Sequence, residues 1–96
     1  MKISAVGIAW YHEADYGRLL EIFEDGKTLH ATYDDWLKDA NGLIERIKNA
    51  GVIVEKAYIT PEEFLSWCAA RGLRLNSDAR KTFANEFAAR KYRDQD

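Results

Sequence analysis

Only two stretches of this chain read as β-strands, residues 2–10 (KISAVGIAW) and residues 52–59 (VIVEKAYI), and that scarcity limits the possible folds. Both are short and apolar, and the second is rich in β-branched residues. A two-stranded sheet is marginal by itself, and each of its strands is an edge with unpaired main-chain groups. Helices must cover those edges, or a second copy of the chain must extend the sheet. In the first strand Ser4, Val6, Ile8 and Trp10 share one face; Ile3, Ala5, Gly7 and Ala9 share the other. The second set is small enough for a helix or another backbone to come close.

Helical patterns fill the rest of the chain. Residues 13–25 put Tyr16, Leu19, Leu20 and Phe23 on one stripe, with Glu13 and Asp15 opposing the dipole in the first turn. Gly26 is the stop. Thr32 caps a longer helix that carries Trp36, Ala40, Leu43, Ile44 and Ile47 on its stripe and ends near Gly51. In ITPEEF, Thr60 is the cap, Pro61 the first helical residue and Glu63 the third, with Ile59 and Phe64 as a hydrophobic staple. That helix stops at Gly72, and a last helix capped by Ser77 bears Phe83 and Phe87. The expected fold is α+β in the order β-α-α-β-α-α, a single domain over residues 1–96 with four helices on a two-stranded sheet. A helical hairpin between the strands returns the chain to the end it left, so antiparallel pairing is expected, with the sheet extended across a homodimer.

An apolar fraction of 47% with 31% charged residues is that of a globular chain. No apolar run approaches the ~20 residues of a membrane span, so no membrane partner is expected. The apolar N-terminus runs directly into Trp10, Tyr11, His12 and Glu13 without a small-residue cleavage pattern, which fits a strand better than a leader. The lone cysteine, Cys68, excludes an internal disulfide and fits a reducing compartment, the cytoplasm by default.

Residues suited to chemistry are few. His12 has Glu13 and Asp15 close by, a pairing that could perform acid–base work, yet the two carboxylates are also what a helix start prefers. His12, His30 and Cys68 have no partners at metal-ligand spacing, so neither a metal nor another cofactor is expected. Cys68 lies on the apolar side of its helix beside Trp67, a setting that makes a thiol inert. No phosphate-binding or nucleophile-elbow motif is present. Nothing here meets the geometric requirements of an enzyme.

The basic end is the stronger functional signal. Residues 71–96 hold half of the 14 basic side chains, among them Arg71, Arg74, Arg80, Lys81, Arg90, Lys91 and Arg93, but only four of the 16 acidic ones. On a helical wheel Arg80, Lys81 and Lys91 share a flank with Ala84 and Ala88 between them, smooth enough to lie against phosphates. Arg90 and Arg93 point elsewhere. A helix-turn-helix alignment on Gly72 puts Asp78 where an aliphatic residue belongs. Three Trp, five Tyr and four Phe exceed what so small a core must enclose, and Tyr11, Trp67 and Tyr92 are the candidates for exposed contacts.

The segments IAWYHEADYGRLLEIF, TYDDWL, VEKAYITPEEFLSWCAARGL and ARKTFANEFAAR together resemble a group of short bacterial proteins of unassigned function. The shared features are a strand ending in W-Y, a D-W-L helix start and an F-L-x-W-C-x-x-R-G-L segment, and they cover nearly the whole chain. The resemblance implies a small bacterial domain and brings no ligand or catalytic residue. The expected function is that of a protein-binding accessory or regulatory domain without catalysis, using an edge strand or the aromatic and basic surface of the last two helices. The candidate contacts for a partner or nucleic acid are Arg71, Arg74, Arg80, Lys81 and Lys91, and the alternative is nucleic-acid binding through Arg80, Lys81 and Lys91.

Overall fold

The computed structural model describes residues 4–93. Strand β1 (Ala5–Trp10) leads into helix α1 (Glu13–Ile22), a short 3-10 turn at Gly26–Thr28 and helix α2 (Tyr33–Asn49). Strand β2 (Ile53–Tyr58), helix α3 (Pro61–Arg71) and helix α4 (Ser77–Arg93) complete the chain. The α+β class and the element order are as expected; Lys2 and Ile3 of the anticipated first strand lie outside the described residues.

The strands are parallel, with Ala5 opposite Ile53 and Trp10 opposite Tyr58, which corrects the antiparallel expectation. The reason is the placement of α1. Its first turn and its C-terminal cap both stay beside the strand end, since Tyr16 and Phe23 each pack on Tyr11 with ring centroids 6.0 and 5.8 Å away. Helix α1 therefore lies across the carboxyl end of β1 and returns nothing along the sheet. Only α2 spans it, from Trp36, 4.9 Å from the Trp10 ring, to Ile44, which borders one surface hollow with Val54. Its 17 residues reach about 25 Å, enough to bring the chain back to where β1 began. One return between two strands gives a parallel pair.

Helices cover both faces of this small sheet. Trp10 and Ile8 turn towards α2, and the small Ala5–Gly7–Ala9 face receives α4, whose Ala84 backbone lies directly over Gly7. The core is aromatic: Trp10, Tyr11, Tyr16, Phe23 and Trp36 are buried together, and Phe64 joins them to Phe83 of α4.

Capping sets the helix ends. The Thr60 hydroxyl accepts from the Glu63 N–H, Pro61 follows it, and Gly72 closes α3 in the left-handed conformation (φ 65°) with the Leu73 N–H on the Cys68 carbonyl. At α4 the cap is Asn76, not Ser77: its side-chain oxygen accepts from the Ala79 N–H at 3.0 Å. Asn76→Ala is expected to cost about 1 kcal/mol of stability, and Ser77→Ala close to nothing. Urea titration of both variants distinguishes the two caps.

Candidate functional site

The hydrogen-bond ladder determines which main-chain groups are left over. The Ile53 N–H donates to the Ser4 carbonyl at 3.0 Å and the Ile59 N–H to the Trp10 carbonyl at 2.9 Å. Ser4, Val6, Ile8 and Trp10 thus turn their polar groups to β2, and Ala5, Gly7 and Ala9 turn theirs the other way. On that other side the main chain has no backbone partner among the described residues, and Gly7 and Ala9 there line a groove of about 460 Å³.

The groove is walled by helices from the two faces of the sheet. Helix α2 contributes Trp36, Asp39, Ala40, Leu43 and Arg46 on one side, and α4 contributes Arg80, Lys81 and Ala84 on the other. The turn carrying Leu29 and His30 borders it as well. Leu43 is one of the few large apolar side chains that remain exposed. The floor, Gly7–Ile8–Ala9, holds no charged or bulky polar side chain. The opposite edge, on β2, is guarded: Lys56 stands on it with its ammonium 4.3 Å from the Trp10 ring centroid.

Arg80 and His30, both lining the groove, already have carboxylate partners. Arg80 is buried over the Phe23 ring and donates to both carboxylate oxygens of Asp25 at 2.8 Å. Through those bonds Arg80 holds the Asp25 carboxyl below the usual carboxylate range. His30 Nε2 lies 3.1 Å from an Asp39 oxygen. Arg46 and Lys81, in contrast, have no ion-pair partner among the described residues.

Compared with protein-family models, curated proteins and solved structures, the chain matches none. Functional inference therefore rests on the geometry.

The residues singled out in the sequence are scattered rather than assembled. Arg71 pairs with Glu86 and lies over Trp67, and Arg74 pairs with Glu24. Lys91 pairs with Glu55, which also accepts from the Tyr92 hydroxyl. The smooth flank between Arg80 and Lys91 is not a surface: Ala84 and Ala88 are buried, the first against the sheet. Of that flank only Lys81 is both exposed and free of an acidic partner among the described residues. The Arg93 side chain lies outside the described part.

Tyr11 is a core residue instead of an exposed one, ringed by Trp36, Tyr16 and Phe23, and burial pushes its hydroxyl up to about 12 despite the nearby Arg80 cation. Trp67 is half-buried against Phe64 and Phe83, and Tyr92 is half-buried by its bond to Glu55. His12 stacks on Tyr58 with ring centroids 4.5 Å apart and makes no ion pair with Glu13 or Asp15 among the described residues. Burial raises the Cys68 thiol above its ordinary value, which disfavours the reactive thiolate. Among the described residues no His, Cys, Asp and Glu side chains cluster in a way that could hold a metal ion.

The groove itself escaped the sequence reading. Its one sequence signal was the run of small residues on alternate positions of the first strand.

Proposed function

We propose that this domain is a protein-binding module that takes up an extended segment of its partner as an added strand along β1. The observation that carries this reading is the main chain of Gly7 and Ala9, which has no backbone partner among the described residues and lines a groove of about 460 Å³. Strand addition draws affinity from main-chain hydrogen bonds and specificity from the side chains that flank the added strand. No reacting group is required, in keeping with an accessory or regulatory role without catalysis. The nucleic-acid reading is less favoured, because Arg71, Arg74, Arg80 and Lys91 are all engaged by carboxylates of the same chain.

Amide hydrogen exchange tests this directly. In the free protein the Gly7 and Ala9 amides are expected to exchange faster than those of Ile53 and Ile59, which are bonded across the sheet. A peptide selected from a random nine-residue library should slow exchange at Gly7 and Ala9 on binding. Protection confined to α3 and α4, with these two amides unchanged, would place the contact elsewhere and overturn the reading.

A further inference from the structure

We infer that the groove along β1 selects an acidic extended segment, with Arg46 on one wall and Lys81 on the other each receiving a carboxylate, and that those carboxylates stand an odd number of residues apart. This rests on the strand-addition reading and adds to it the chemistry of the occupant.

The spacing follows from the walls. Arg46 belongs to α2, which covers the face bearing Ile8 and Trp10, and Lys81 belongs to α4, which covers the face bearing Gly7. Successive side chains of an added strand point to opposite faces. A carboxylate aimed at Arg46 and one aimed at Lys81 must therefore be separated by an odd number of positions. The two cations are also staggered along the strand. Arg80, next to Lys81 on α4, lies over the Phe23 ring and bonds Asp25 beside the carboxyl end of β1, so Lys81 lies towards that end of the groove. Arg46 lies ten positions after Trp36 on a helix that runs from Trp10 back along the sheet, towards the other. A stagger of this kind favours a separation of three over a separation of one, since three extended residues cover about 10 Å.

Charge also distinguishes among occupants. A second copy docking through its own β1 would present SAVGIAW, which carries no carboxylate for either cation. Arg80, the other cation of the groove, is satisfied by Asp25 and does not compete. On the α2 wall, Leu43 offers an apolar contact for a residue two positions from the carboxylate that reaches Arg46.

Fluorescence anisotropy with labelled nine-residue peptides on a threonine–valine background tests the inference. One peptide has two glutamates three residues apart, a second has them two apart, and a third has two lysines three apart. The first is expected to bind about tenfold more tightly than the second, and the third not measurably. Lys81→Glu and Arg46→Glu, both at exposed positions, should each weaken the first peptide about tenfold; combined, they should let the lysine peptide bind.

Equal binding of the two glutamate peptides, or indifference to both charge reversals, overturns the selection rule. If such binding is still abolished by methylating alternate amides of the peptide, strand addition survives that failure. Binding that ignores amide methylation overturns both. Sedimentation showing a dimer that excludes the peptide would assign the edge to a second copy. Tighter binding of a single-stranded oligonucleotide at the same site would assign it to nucleic acid, and either result rejects the acidic segment.

Discussion

Gly7→Ala is expected to cost at least about 3 kcal/mol, enough to lower the thermal midpoint of a domain this size by more than ~10 °C. A Cβ at Gly7 would lie 1.9 Å from the Ala84 carbonyl oxygen and 2.5 Å from its carbonyl carbon. Both atoms are backbone, so no side chain can rotate away and α4 itself must lift off the sheet. Overpacking in a core ordinarily costs about 1–3 kcal/mol, and displacement of a helix backbone belongs at the top of that range or beyond. Gly17→Ala is the matched control. Nothing lies within 4 Å of its added Cβ, and its place inside α1 should yield a gain of roughly 0.5–1 kcal/mol. Tryptophan fluorescence during urea unfolding measures both. An unchanged midpoint for Gly7→Ala would mean that α4 does not rest on β1.

The second large effect is expected at Asp25. Removing its carboxylate in Asp25→Ala strands the Arg80 guanidinium, whose side chain is only 7% exposed, without the two bonds that satisfy it. Breaking a buried pair from one side costs about 3–5 kcal/mol. Asp25 keeps 29% of its side chain open to water, which puts the expected loss near the lower limit, about 3 kcal/mol. Replacing both partners, Asp25→Leu with Arg80→Met, should recover most of it, because no charge is then left buried.

The same pair gives the protein an acid-sensitive component. Asp25 is held below its ordinary pKa in the folded state, chiefly by its hydrogen bonds to Arg80. A carboxyl with a depressed folded pKa contributes fully above its unfolded value, about 4, and loses that contribution as pH falls towards the folded value. Stability should therefore decline below about pH 4, and the decline should be shallower in Asp25→Asn. It should not vanish, since Glu55 is likewise lowered by its bonds to Lys91 and Tyr92. An identical acid limb in wild type and variant would show that the pair adds nothing.

What was legible in the sequence was local. The Thr60–Pro61–Glu63 signal and Gly72 marked both ends of α3, and apolar spacing located the two strands and four helices, because each depends on neighbours a few residues away. The strand direction was not legible. It depends on whether α1 spans the sheet or stays at its end, and Tyr11, Tyr16 and Phe23 decide that through contacts no periodicity encodes. Arg80 looked like a surface cation because its partner, Asp25, lies just beyond α1, 55 residues away in the chain. Asn76 displaced Ser77 as the cap by one residue, the usual uncertainty of a helix end. The small alternate residues of β1 did announce a close approach, but not that a helix would take one face and leave a groove beside it.

The seating of Ala84 on Gly7 also sets an order in time. Strand β1 is made well before α4, yet the α4 backbone sits directly over its Gly7 in the folded domain. Until α4 has left the ribosome, the Ala5–Gly7–Ala9 face lacks the helix that covers it in the folded domain. Contacts between residues far apart in a chain slow folding, since the whole intervening loop must close first. A nascent or C-terminally nicked form of this domain would thus offer β1 bare on one face as well as along its edge, and would be the form most prone to pair with other chains.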